Sequence, residues 1–148
     1  HDAIGRALAH VGVTCRRASG AAAHKARPSD RWCFETPVDG DLITDKGKLL
    51  GSAQRRTRAG EEGDRSWVLH HGSLVLRKPS LTPFVAAVSD QVAPTTELRN
   101  GLHASLIAEL AKVLGLIARP GERTHAENAM ASRLRTTRFG NESHLNRR

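Results

Sequence analysis

The chain has 148 residues, 39% of them hydrophobic and 26% charged, which suits one domain with a single core and excludes a disordered or fibrous composition. Twenty-three Lys+Arg against fifteen Asp+Glu give a formal charge of +8, a balance that favours acidic partners without choosing among them. Two cysteines exclude a disulfide scaffold, no apolar run approaches the roughly 20 residues of a membrane span, and no stretch has the layout of a signal peptide, so a cytoplasmic protein with free thiols at Cys15 and Cys33 is expected.

The row opens on "HDAIGRALAHVGV", where Ile4, Leu8 and Val11 recur at helical spacing, so the chain starts inside an amphipathic helix over residues 2 to 10 that Gly12 stops. This predicts the C-terminal part of something longer. "VTCRR" reads as a short strand, and "ASGAAAHKARPSD" as a polar loop. Leu42 and Ile43 then face Leu49 and Leu50 across "DKGK", a hairpin with Lys48 at the start of its second arm. "RRTRAGEEGDRS" carries no apolar anchor and is expected to be a surface loop.

"WVLHHGSLVLRK", residues 67 to 78, is the strongest strand signal, apolar on both sides of a polar centre at His70, His71, Gly72 and Ser73. Prolines interrupt the pattern from Pro79 to Pro94, with a helical turn in "FVAAVSD". Leu98, Leu102, Leu106, Leu110, Val113 and Leu114 share one face of a helix from Thr96 to Leu114, closed by Gly115. Thr124 and Glu127 form a capping box that opens a last helix, His125 to Leu134, before a loosely packed polar tail. Helix, strands and helices in that order predict an α+β fold with a mixed or antiparallel sheet flanked by helices.

Three blocks carry a resemblance. "WCFETPVDGDLITDKGKLLGSAQRR", "VLHHGSLVL" and "RFGNESHLNRR" resemble the lipoate-protein ligase and octanoyltransferase superfamily, whose catalytic domain is shared with biotin protein ligases. Lys-x-x-Gly-Ser-Ala-Gln followed by His-Gly-Ser is the specific part; the tail match is weak. The resemblance implies a partial catalytic domain over residues 1 to 148, because the family's upstream Arg- and Gly-rich pocket segment has no counterpart here. It departs from the family at the turn, where Asp45-Lys46-Gly47-Lys48 replaces the usual Asp-Gly-Arg-Lys and makes Lys46 a rival to Lys48. Spacing to Gly51-Ser52-Ala53-Gln54 favours Lys48.

The resemblance implies an acyltransferase that moves an octanoyl or lipoyl group onto a lysine of a lipoyl-carrier protein, with Cys33 as the nucleophile that forms a thioester. Lys48 would stabilise charge on the acyl carbonyl. Gly51, Ser52, Ala53 and Gln54, with His71, Gly72 and Ser73, would bind substrate along small-residue strands that let a ligand approach the backbone. An ATP-dependent lipoate ligase is the runner-up, needing ATP and Mg²⁺, with Cys33 incidental; a basic binding module or noncatalytic fragment is the alternative of another class. Lipoate or octanoate is the transferred group, and no cofactor is permanently bound. Acidic acyl carrier protein and lipoyl-carrier domains are the implied partners.

Plainer readings compete. A cysteine between Trp32 and Phe34 packs more often than it reacts, and a turn lysine is nearly always solvated, so both assignments rest on their context. Alternation puts His70 and His71 on opposite strand faces, leaving His71 for the site and His70 for the surface. Cys15, His24 and Cys33, with eight intervening residues each, match no common metal-ligand spacing. With 3% aromatics and no continuous basic helix face nucleic acid is not an expected partner, and without an apolar run of spanning length neither is a membrane.

Overall fold

The computed structural model describes residues 1–20, 34–59 and 65–141. It divides into two compact units, His1–Ile117 and Ala118–Arg148. The first unit contains helix α1 (Asp2–His10), strands β1 (Arg16–Arg17), β2 (Leu42–Thr44), β3 (Gly47–Ala59) and β4 (Arg65–Leu74), a 3₁₀ turn at Val88–Asp90 and helix α2 (Thr96–Leu114). The strands form one antiparallel sheet in the order β1-β2-β3-β4, so the expected α+β class and antiparallel sheet are found.

Local chemistry explains most boundaries. Thr95 Oγ accepts from the Leu98 amide at 3.2 Å to start α2, and Gly115, at φ 63°, ends it in the left-handed conformation that glycine adopts without steric cost. The hairpin turns through Asp45 and Lys46, with Thr44 opposite Gly47. Gly47 has φ 120°, and a Cβ there would stand 2.7 Å from the Phe84 carbonyl oxygen, so no other residue fits this turn. Lys46 is exposed in the turn and Lys48 is buried, which separates the two rivals.

The register of β2 on β3 shifts at one step. Leu42 faces Leu50 while Ile43 faces Lys48, leaving Leu49 as an extra residue, a β-bulge. A bulge inverts the phase of the strand beyond it, so Leu49 and Leu50 both turn toward the core and Lys48 shares a face with Gly51. Leu42, Leu49 and Leu50 pack with Leu8, Val13, Ala86, Val88 and Leu102, which places α1 and α2 against one face of the sheet.

Two expectations need correction. Arg55–Ala59, read as the start of a loop, continue β3 and pair with Arg65–Leu69, because backbone pairing with β4 overrides a sequence with no apolar anchor; residues 60–64 lie outside the described residues. The predicted strand over 67–78 starts at Arg65 and stops at Leu74, and its outer half is not buried: Trp67 is 69% and Leu69 61% exposed. The long apolar face of α2 is likewise covered only in its first half, at Leu98, Leu102 and Leu106, whereas Leu110, Val113 and Leu114 are exposed.

Arg6 of α1 donates from Nε to Glu109 of α2 at 2.5 Å, joining the two helices. That hydrogen bond is the main reason the Glu109 carboxyl titrates below the usual glutamate value of 4.5, against the opposing effect of burial. A depressed folded-state value means the unfolded chain binds the proton more readily. The pair's stabilisation is therefore present above 4.5 and lost as pH falls through the lower, folded value. Glu109→Gln is expected to lower thermal stability near neutrality, with the difference from the unchanged protein shrinking as pH falls below about 4.5, which flattens the acid limb.

The second unit contains helix α3 (His125–Leu134) and a π-helical turn over Arg135–Phe139. The expected capping box is formed, with Glu127 N–H to Thr124 Oγ at 3.2 Å and Thr124 N–H to Glu127 Oε at 2.7 Å. The terminal tail expected to pack loosely falls, from residue 142 onward, outside the described residues.

Candidate functional site

Lys48 is the centre of the arrangement. Its side chain is only 6% exposed, and its Nζ stands 2.7 Å from Asp41 Oδ2 and 5.2 Å from the centroid of the Phe34 ring. A buried ammonium survives only if paired, and a face of an aromatic ring adds to the attraction. Asp41 is itself fixed, since its carboxylate also accepts from the Val38 amide at 2.8 Å.

Room for Lys48 comes from Gly51. A Cβ on Gly51 would lie 2.6 Å from Lys48 Cε and 2.9 Å from Nζ. The first small residue after the lysine therefore accommodates the lysine itself, which folds back over the strand to reach Asp41. Strict alternation would have set these two residues on opposite faces; the bulge at Leu49 puts them together.

Pairing of β3 with β4 assembles the rest. Gly51 faces Ser73, Ser52 faces Gly72 and Ala53 faces His71, so two segments some twenty positions apart form one surface. A cavity of about 160 Å³ is lined by Phe34, Lys48, Gly51, Ser52, Ala53, His71, Gly72 and Ser73. Of the residues expected to bind substrate, Gln54 does not line it and is exposed opposite His70. Cys33 lies outside the described residues. Cys15 is half-buried, away from this cavity, and burial raises its thiol above the ordinary value of 9.0, which makes it a poor nucleophile.

Three residues were not found by reading the sequence. Asp41 was discoverable by asking which nearby acid could neutralise a buried Lys48. Phe34 had no signal beyond its position after Cys33. His70, expected at the surface, is exposed yet bonds to Ser52 Oγ through Nε2 at 2.9 Å, a diagonal contact legible only once the strand register is known. Among the described residues no cluster of three or more His, Cys, Asp or Glu is placed to hold a metal, and no helix is long and apolar enough to cross a membrane.

No protein-family model matches the sequence, and no curated protein matches it. Its fold, however, is found in solved structures. A T. acidophilum protein assigned as a lipoate protein ligase, with lipoic acid bound, superposes with a TM-score of 0.66 at 18% identity, over 95% of this chain and 53% of that one. The same protein without that ligand gives 0.60 at 20% identity over the same shares. Lipoate-protein ligase A bound with ATP gives 0.60 at 22% identity, over 95% of this chain and 54% of that one. The fold is thus that of part of a lipoate-protein ligase, and the chain spans about half the length of the structures it resembles.

Proposed function

We propose that the Lys48 pocket receives the carbonyl end of an activated lipoyl or octanoyl group for attachment to a lysine of a lipoyl-carrier domain. The observation that carries this reading is the buried ammonium of Lys48, set by Asp41 and Gly51 at the wall of a cavity built from the Gly-Ser-Ala and His-Gly-Ser strands. Acyl transfer places negative charge on the carbonyl oxygen in the transition state. A fixed cation in a water-poor site stabilises that charge far better than a solvated one. Asp41 fixes where the ammonium stands, so little reorganisation is needed when charge develops. The small residues of both strands leave backbone within reach of an incoming chain.

In the transferase form of this reading, Cys33 takes the acyl group from a thioester donor and passes it to the carrier lysine. Its place beside Phe34 in the chain, and Phe34's contact with Lys48, support that assignment. A ligase form, in which ATP first activates free lipoate and Cys33 takes no part, is favoured by the likeness to the ATP-bound enzyme. The excess of basic side chains suits docking of acidic carrier domains in either form.

One assay separates the two. Full-length protein is mixed with an apo lipoyl-carrier domain and either octanoyl-acyl carrier protein or lipoate with ATP and Mg²⁺, and carrier mass is followed. Transfer from octanoyl-acyl carrier protein without ATP, lost in Cys33→Ser, is the expected result. Modification that needs ATP and survives Cys33→Ser selects the ligase. In both cases Lys48→Met is expected to lower the rate by about 10²–10³-fold. A carrier left unmodified under both conditions overturns the proposal.

A further inference from the structure

A second cluster of chemically active groups adjoins the Lys48 pocket and shares Ser52 with its lining. Beyond the bulge, alternation turns the Ser52 side chain to the face opposite Gly51 and Ala53, the face that carries the helices. There Ser52 Oγ stands 2.7 Å from His1 Nε2 and 2.9 Å from His70 Nε2. The other ring nitrogen of His1, Nδ1, contacts the carbonyl oxygen of Gly40.

The partners fix the direction of these bonds. A carbonyl oxygen only accepts, so His1 Nδ1 carries the proton, and in the neutral ring Nε2 must then be an acceptor. Its neighbour is the Ser52 hydroxyl, which donates to it. The serine oxygen, with a lone pair still available, accepts the N–H of His70 Nε2. One self-consistent chain results, from His70 through Ser52 and His1 to the Gly40 carbonyl. It contains a hydroxyl nucleophile, a base within hydrogen-bond reach, and a group that fixes the base's tautomer, the three parts of an activated serine.

The backbone favours this role. Ser52 lies in β3, and His1 is the N-cap residue directly before α1, so the serine stands on a regular element and the histidine at the edge of one. Gly72 is directly across from Ser52, and a Cβ there would come within 3.2 Å of Ser52 Cβ and 3.1 Å of the Gly51 carbonyl oxygen. Glycine at this position keeps the approach to Ser52 clear. Ser52 and His1 are each half-buried and His70 is exposed, so the hydroxyl is reachable from solvent.

We propose that Ser52 is a base-activated nucleophile, with His1 as its general base and the Gly40 carbonyl as the positioning group, and that it hydrolyses activated acyl esters. In the first step the Oγ–carbon bond forms and the Ser52 proton passes to His1 Nε2. The ester's carbon–oxygen bond then breaks, and the leaving alcohol takes that proton from His1. In the second step water gives a proton to His1 and attacks the acyl-serine. The carboxylic acid leaves, and the proton returns to Ser52 Oγ. No oxidant, metal or nucleotide is needed.

The test uses the full-length protein with an alkyl fluorophosphonate, which an activated serine displaces at phosphorus with loss of fluoride, and with p-nitrophenyl butyrate as turnover substrate. Peptide mass mapping is expected to place a single phosphonyl adduct on Ser52, and His1→Gln is expected to slow labelling and turnover together by about 10²-fold or more. Far-UV circular dichroism and thermal unfolding verify that His1→Gln is folded, and His70→Gln provides a second, milder variant expected to slow labelling several-fold. No adduct on wild-type Ser52, an adduct elsewhere, or undiminished labelling in folded His1→Gln overturns the assignment and leaves the contact as a tether for the start of α1. The probe requires neither carrier nor ATP, so its failure is distinct from a failure of carrier modification.

Discussion

Replacing Asp41 by alanine is expected to destabilise the protein by about 3–5 kcal/mol, because it strands a buried charge. The Asp41 and Lys48 side chains are 3% and 6% exposed, so water cannot take the place of the lost carboxylate, and the Val38 amide loses its acceptor as well. Lys48→Met is expected to cost a similar amount by stranding the carboxylate instead. Burying both charges is expensive in itself, so exchanging the pair for apolar groups, as in Asp41→Leu with Lys48→Met, is expected to cost much less than the sum of the single changes. Urea unfolding of the four full-length proteins measures this coupling. Simple additivity would show that the contact contributes nothing as a pair. Under the proposed function, the single Asp41→Ala change is also expected to lower acyl attachment, since it removes the anchor that holds the Lys48 ammonium in place.

Gly51→Ala gives the second large effect, and here the sign is the informative part. Glycine within a strand normally costs about 0.5–1 kcal/mol relative to alanine, so propensity alone predicts a gain. The new Cβ would instead sit 2.6 Å from Lys48 Cε. On an open surface a lysine would swing away at little cost. This one is held in place by Asp41 and covered by Phe34, so either the ion pair opens or the strand shifts. A net loss of about 1–3 kcal/mol is expected, together with a more than tenfold fall in acyl attachment. Gly101→Ala in α2 is the control: its Cβ would meet only Val11 Cγ1 at 3.6 Å, an ordinary contact, and a gain of about 1 kcal/mol is expected. Equal behaviour of the two variants would remove Gly51 from the description of the pocket.

Much of the local structure was legible in the sequence. The spacing of Leu98, Leu102 and Leu106, the Thr124–Glu127 box and Gly115 located two helices at their observed ends, because helix bonds and caps are made among residues three or four positions apart. The hairpin followed from turn residues between apolar pairs for the same reason. The pairing of Arg55–Ala59 with Arg65–Leu69 was not legible, since a strand's partner supplies bonds that its own composition does not advertise. Nor was the exposure of Trp67 and Leu69, which depends on which part of the sheet the helices cover.

The sequence alone determined the helices and their caps, the hairpin around Asp45-Lys46, the small-residue strands at 51–53 and 71–73, and a resemblance that singled out Lys48 from Lys46. Tertiary structure decided what those residues meet. One extra residue at Leu49 turned Lys48 to the face of Gly51, packing brought Asp41 and Phe34 to its ammonium, and register set Ser52 between His1 and His70. Local periodicity is written within a few residues, whereas a side chain's face and partner depend on strand phase and on packing between segments distant in the chain.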